Sequence, residues 1–343
     1  MSTVTVTSRI GLSSPEESKA VLKVSDLVVE YHTARGIAQA VNGVTFTVHA
    51  GEKLAIVGES GCGKTATLLA ALRLLPSPPS KTVRGSVEVD GTDLMTLGPK
   101  ALNEIRGRDI SIVFQDALSA FNPVLTVGRQ ISEGVRQQRK LSKAAAHELA
   151  VDMLARVGVP DPDQRAKQYP HQLSGGMRQR AMIAMALAGE PKVLFADEPT
   201  TALDVTVQAQ ILDLVRSFKD LAIVWVSHDL GVVAGLADRV IVMYSGFVVE
   251  EGPVEDIFHS PKHPYTAALL RSIPRTDEMS GTHELVSIPG SPPDLVALPA
   301  GCPFYDRCAV RVDRCATDRP TLERVGDTQT VACWVAQAKD IAS

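Results

Sequence analysis

The sequence predicts an α/β protein: a mostly parallel sheet with helices on both faces, a helical insertion within it and an irregular extension after it. Three observations carry that expectation. Short apolar or β-branched runs alternate with helical patterns as far as about Gly252. Residues 116–170 break that alternation, being helical and polar with no buried-strand run. After Gly252 the chain is punctuated by Pro253, Pro261, Pro264, Pro274, Pro289, Pro292, Pro293 and Pro299.

In chain order, residues 1–20 are rich in Ser and Thr and lack an apolar segment, so they read as a frayed cytosolic tail and not as a signal peptide. Residues 22–31 (LKVSDLVVEY) alternate and are β-branched, as a strand requires, and 41–48 (VNGVTFTV) read as a second. Residues 53–57 (KLAIV) form a short apolar run ending at a glycine cluster, the mark of a buried strand. A helix is expected over 65–75, closed by Pro76. Residues 110–114, 193–196 and 222–226 read as further buried strands, with helices over 143–157, 176–188 and 205–218. The expected organisation is a tail (1–20), a first core part (21–115), a helical subdomain (116–170), a second core part (171–255) and a cysteine-bearing extension (256–343).

The chain has 343 residues and a mass of 36.6 kDa, which suits two domains or one large domain with an extension. With 45% hydrophobic and 22% charged residues it is neither disordered nor a coiled coil. Lys plus Arg number 35 and Asp plus Glu 39, a net charge of −4, which argues against a nucleic-acid binder. Only 4% of residues are aromatic, which argues against base-stacking platforms. No apolar run approaches the ~18–20 residues of a membrane span. A protein of this composition that serves a membrane relies on another chain to cross it.

Residues 58–65 (GESGCGKT) fit G-x-x-x-x-G-K-[ST] without a mismatch, with the expected strand before and helix after. The glycines Gly58, Gly61 and Gly63 let successive backbone N–H groups of the loop, with Ser60 and Cys62 among its residues and Ala66 just after it, turn toward an anion. The helix N-terminus adds its positive dipole end. Lys64 is expected on the β- and γ-phosphates and Thr65 on Mg2+. Cys62 holds a variable loop position and reads as a small residue without special chemistry. Residues 193–198 (VLFADE) form an apolar run ending in two carboxylates. Asp197 suits a role near Mg2+, and Glu198 that of general base for an attacking water. Together these motifs predict a nucleotide triphosphatase.

Residues 173–180 (LSGGMRQR) open a long helix with Ser174, Gly175, Gly176 and Met177, a second anion-binding helix end. Read alone, Ser174 is an N-cap followed by glycines. The loop at 58–65 already serves one triphosphate, so a second phosphate site implies a nucleotide held by a facing partner chain.

With LSGGM followed by a strand and ADE, the sequence resembles the ATP-binding-cassette family over about residues 22–252. That resemblance implies a RecA-like P-loop NTPase core. It assigns Tyr31 to adenine stacking, Gln115 to the Q-loop that positions Mg2+ and water, Asp204 of ALD (202–204) to the D-loop at a dimer interface, and His228 to the γ-phosphate switch. Residues 198–211 (EPTTALDVTVQAQI), 170–180 (PHQLSGGMRQR), 114–123 (FQDALSAFNP), 263–274 (HPYTAALLRSIP) and 301–308 (GCPFYDRC) resemble the ATPases of bacterial dipeptide and oligopeptide importers, a group that also contains nickel uptake systems. Ala117 and Phe121 depart from the commoner Pro and Leu after the Q-loop, and Met177 replaces the wider superfamily's Gln. None of these removes a group that does chemistry.

The resemblance implies an ATP-hydrolysing, Mg2+-dependent subunit on the cytoplasmic face of the membrane. It implies a second ATPase subunit, a paralogue in many members, two permease subunits and an extracytoplasmic peptide-binding protein. A nickel importer of the same family is the alternative cargo reading. A soluble, non-transporting cassette ATPase is a further one, disfavoured by the single cassette and the lack of heptads. Four of the five cysteines, Cys302, Cys308, Cys315 and Cys333, lie late in the chain. No C-x-x-C knuckle occurs, so their spacing leaves open four unligated thiols or a metal site. The resemblance implies a four-iron, four-sulfur cluster there, with Zn2+ as the second choice.

Overall fold

The computed structural model of the protein describes residues 19–201, 203–272 and 287–341. The expected tail therefore lies outside the described residues except for its last two positions. Among the described residues there are two sheets. The first is antiparallel, in the order β2-β1-β4-β5, from β1 (Ala20–Thr33), β2 (Gly36–His49), β4 (Ser80–Val89) and β5 (Thr92–Asp93). The second runs β11-β12-β10-β9-β3-β8-β7-β6, with β3 (Lys53–Val57), β6 (Ile110–Val113), β7 (Val193–Asp197), β8 (Ala222–Ser227), β9 (Arg239–Tyr244), β10 (Phe247–Pro253), β11 (Glu323–Val325) and β12 (Gln329–Val331).

The stretch β9-β3-β8-β7-β6 is parallel, as the alternation of strands and helices predicts. Its strands are buried on both faces, and the two-residue period divides their side chains between cores. Leu54 and Ile56 of β3 face the antiparallel sheet and the helix Lys64–Ala71, whereas Ala55 and Val57 join a core formed with the helix Leu230–Leu236 and the C-terminal extension. Val224 and Val226 of β8 join the first core, while Ile223 and Trp225 join the core formed with the helices of the 117–187 region. Each Leu or Ile so buried contributes about 1.5–3 kcal/mol. The parallel register also sets the strand ends level. Val57 pairs with Ser227, Val226 with Asp197, and Ala196 with Val113. The chain segments that follow β3, β6, β7 and β8 therefore emerge along one edge, where open α/β sheets bind ligands.

The helix expected over 65–75 ends earlier, at Ala71. Arg73 takes a left-handed φ of 54°, and the Arg106 guanidinium donates to the carbonyls of Leu72 and Arg73, satisfying helix-end acceptors well before Pro76. Residues 117–166 carry the helices Ala117–Ala120, Val127–Arg139, Lys143–Arg156 and Pro162–Ala166. Strands β4, β9 and β10 are additions to the elements expected from the sequence. The expected irregular extension is also a partial correction. It holds the helices Val254–His259, Pro264–Arg271, Arg314–Thr317 and Trp334–Ile341, and its β11–β12 hairpin continues the central sheet. Glu250 pairs with Val331 and Glu251 with Thr330, covering an edge that β10 would otherwise expose. No helix among the described residues is long and apolar enough to cross a membrane.

Candidate functional site

At the end of β3 the chain turns sharply at Gly58, where φ is +151° and an added Cβ would stand 2.2 Å from the Met243 carbonyl oxygen. Gly63 begins the following helix at φ +105°, and a Cβ there would stand 2.3 Å from the Ala40 carbonyl. Only glycine meets both demands, so the loop curls tightly against β9 and β2. Lys64 is buried, and its ammonium donates to the carbonyls of Gly58 (2.8 Å) and Glu59 (3.1 Å), which holds it across the loop. Cys62 is buried beneath it, and burial pushes its thiol pKa up, so it packs as a small apolar group, in line with its variable loop position. Ser60, Gly61 and Thr65 are exposed, and Ala66 packs partly on the first core.

Asp197, the last residue of β7, meets this loop. The Thr65 hydroxyl donates to Asp197 Oδ1 at 2.9 Å. Burial holds the Asp197 carboxyl above the ordinary carboxylate range, against the opposing pull of that hydroxyl. A hydroxyl and a buried carboxylate side by side are the hard oxygen donors that suit Mg2+, and the cation would compensate the buried charge. Glu198 follows with a left-handed φ of 44°, pinned by its N–H donating to the Val226 carbonyl at 3.0 Å. A non-glycine residue in that region is strained and over-determined by its surroundings. The turn aims Oε2 at three partners: Gln115 Nε2 at 3.3 Å, the Thr201 hydroxyl at 3.1 Å and His228 Nδ1 at 2.9 Å.

The strand edge thus brings together residues singled out at four separate places in the sequence: Lys64 and Thr65 after β3, Gln115 after β6, Asp197 and Glu198 at the end of β7, and His228 after β8. Gln115 lies against Glu198; no hydrogen bond links it to Thr65 or Asp197 among the described residues. Thr201 escapes sequence reasoning, because one threonine within EPTT carries no signal of its own. Tyr31 lies near the end of β1, half-buried against the first core and paired with Ala38, away from these contacts.

The second glycine motif stands apart. Ser174 caps the helix Gly175–Leu187, accepting the Met177 N–H at 3.3 Å. Ser174 and Gly175 are exposed, and a Cβ at Gly175 would meet nothing within 4 Å. Gly176 rests against Val207, whose nearest methyl would lie 3.0 Å from an added Cβ. Val207 belongs to the helix Val205–Ser217, which Asp204 caps by accepting the Val207 N–H. Among the described residues no hydrogen bond joins 174–177 to 58–65. Ala202 of the ALD segment lies outside the described residues.

The four late cysteines line one cavity together with His263, Phe304 and Trp334, and the Cys302 N–H donates to the Cys315 carbonyl at 2.8 Å. Burial pushes the Cys302 thiol up to about 11 and raises Cys308 and Cys333 as well, so without a cation these remain neutral thiols. Four thiols together are a donor set whose chemistry suits a metal ion. The space between them is about 10 Å3, room for about one water. Among the described residues no group of three or more His, Cys, Asp or Glu side chains is set to hold a metal ion. The four thiols are gathered in one cavity, but no ligand set for the expected iron–sulfur or Zn2+ site is seen among the described residues.

Residues 41–201 match the ABC transporter family, and residues 249–315 match the oligopeptide/dipeptide transporter C-terminal region. The chain is 50% identical over 318 residues to the dipeptide transport ATP-binding protein DppD of Bacillus subtilis, covering 92% of this chain and 94% of that protein. It is 44% identical over 330 residues to the oligopeptide transport ATP-binding protein OppD of Salmonella typhimurium, covering 95% and 97%. Among solved structures it is similar to the dimeric, post-hydrolysis ATP-binding cassette MJ0796 bound to ADP and Pi, with a TM-score of 0.62 and 28% identity over 68% of this chain and 98% of that one. With such similarity over nearly its whole length, this chain belongs to the ATP-binding-cassette transporter family, among the dipeptide and oligopeptide transport ATP-binding proteins.

Proposed function

We propose that this chain is the ATP-hydrolysing subunit of a peptide importer, seated on the cytoplasmic face of the membrane. It works with a second ATPase subunit and two permease subunits, supplied by an extracytoplasmic peptide-binding protein. The observation that carries the hydrolytic reading is the convergence of Gln115, Thr201 and His228 on the single carboxylate oxygen of Glu198, beside the glycine loop and Lys64.

ATP binds with its adenine on Tyr31 and its phosphates over Gly61, Gly63, Lys64 and Thr65. Lys64 exchanges its two loop carbonyls for phosphate oxygens. Thr65 and Asp197 would hold Mg2+, which would supply positive charge to neutralise that developing on the phosphates. Glu198 accepts the proton of the attacking water, Gln115 orients that water, and His228 shifts from Glu198 to the γ-phosphate. Ser174, exposed, and Gly176, both unengaged with their own loop, cap the γ-phosphate of the facing subunit, and Asp204 fixes the helix beside them. Closure of the two chains excludes water and completes each centre. Loss of the γ-phosphate removes those contacts and reopens the pair, a difference in closure free energy that drives the permease.

Mixed pairs test the shared centre. Ser174→Arg on one subunit should slow hydrolysis at the partner's nucleotide by at least about tenfold, since a bulky cation displaces an N-cap that touches phosphate. Equal rates at both sites, or full activity from a strictly monomeric chain, would refute the proposal. The four-iron, four-sulfur cluster, with Zn2+ second, is retained as a separate proposal that rests on the gathering of four thiols. Anaerobically purified protein without brown colour, iron or zinc ends it, and no step of hydrolysis runs through it.

A further inference from the structure

The C-terminal extension reaches the phosphate loop directly. Glu59, the second residue of that loop, is held from two sides. Its backbone N–H donates to the Tyr265 hydroxyl at 2.8 Å. Its carboxylate takes a bidentate grip from Arg307, with Nη1 to Oε2 at 2.7 Å and Nη2 to Oε1 at 2.9 Å. The Arg307 side chain is 5% exposed. Its remaining donors are also spent, on the carbonyls of Pro289 (3.0 Å) and Ile288 (3.2 Å) and on the Tyr244 hydroxyl (3.2 Å). All of the guanidinium's N–H capacity is thus matched to one fixed geometry, which a lysine cannot copy.

The platform beneath is rigid. The rings of Tyr244, Tyr265 and Phe304 pack with centroids 4.6, 5.3 and 5.4 Å apart, joining β9, the helix Pro264–Arg271 and the extension. The segment before Arg307 also ties down the other end of the nucleotide site. Leu295 accepts the Gln39 N–H at 3.0 Å, and Asp294 pairs with Arg35. Both contacts fall on the β1–β2 hairpin, within a few residues of the pair Tyr31–Ala38.

Electrostatics gives this clasp a purpose. The Glu59 carbonyl accepts Lys64, so the residue is adjacent to the ammonium that meets phosphate. A free carboxylate on that loop would repel a triphosphate, and an unrestrained one would loosen the loop. We infer that the extension is a working part of the nucleotide site, with Arg307 as a positioning residue that neutralises Glu59 and, with Tyr265, fixes the phosphate loop for ATP. The inference rests on the glycine loop being the ATP site.

The test uses the full-length chain in its assembled transporter, with KM for ATP, kcat and Tm as readouts. Arg307→Met should raise KM for ATP about tenfold while kcat falls less than threefold, as one lost charge-assisted pair near the ligand implies. Adding Glu59→Gln to Arg307→Met should return KM to within about threefold of the parent, because the repelling charge goes too. Tyr265→Phe, which keeps the ring and loses only the bond to Glu59, should raise KM about threefold, a neutral hydrogen bond being the weaker grip. A merely structural arginine predicts a lower Tm, an unchanged KM and no rescue. A KM for Arg307→Met within twofold of the parent overturns the inference, as does a rise that Glu59→Gln fails to reverse. If Arg307→Met does not fold, an unchanged KM in Tyr265→Phe overturns it alone. Lys64→Ala is the separate control: fluorescent ATP binding that survives it sinks the ATP-site reading itself.

Discussion

Replacing Glu198 with Gln isolates the proton-accepting step from the geometry around it. The Glu198 side chain is 15% exposed, and its Oε2 receives Gln115, Thr201 and His228 together. An amide has the same shape, and its carbonyl oxygen can take Oε2's place and keep all three donors. What it lacks is a site for the water's proton. Loss of a positioned general base costs about a hundred- to ten-thousandfold in rate. At 1.36 kcal/mol per decade that is about 2.7–5.4 kcal/mol of barrier. KM for ATP should not rise, because removing a negative charge beside the γ-phosphate favours the bound state. The variant should therefore accumulate as an ATP-bound closed pair. Phosphate release by the assembled transporter measures kcat, and gel filtration with and without ATP measures closure. Turnover within threefold of the parent would show that Glu198 is not the base. A matched rise in KM would show that it serves binding instead.

Acid should weaken the chain through His263. This side chain is buried, its Nδ1 accepts the Tyr265 N–H at 3.0 Å, and burial pushes its pKa down to about 3, against about 6.5 for an unfolded histidine. The unfolded chain thus binds a proton that the folded one refuses. The stability is whole above about pH 6.5 and drains as pH falls toward 3, by up to about 1.4 kcal/mol per unit. Urea unfolding between pH 7.5 and 5 should show a slope that His263→Asn reduces; parallel slopes in the two chains would refute the assignment. Gly63→Ala meets the Ala40 carbonyl at 2.3 Å and a φ of +105°, so it should cost more than about 1 kcal/mol and abolish tight ATP binding. Unaltered nucleotide affinity by fluorescence titration would show that the loop has room for a side chain.

The parallel core and the identity of the chemical groups follow from residue order alone. Runs such as 53–57 and 222–226 are apolar throughout because both faces are covered, and the glycines of 58–65 declare backbone that no side chain allows. Asp197 and Glu198 are legible because they close a buried apolar strand, whereas Gln115 and His228 take their roles from the resemblance to the cassette family. The meeting of Gln115 and His228, 83 and 30 residues from Glu198, at its Oε2 depends on strand register and leaves no local trace. Strands β4 and β10 stay hidden because charged residues and a glycine dilute their period. The extension misleads most: its prolines and short segments signal irregularity, yet the hairpin β11–β12 finds its pattern only on the edge of β10. Arg307 is one arginine among many in the sequence. Only the folded chain places it on Glu59, because an ion pair spanning 248 positions is a property of packing and not of spacing.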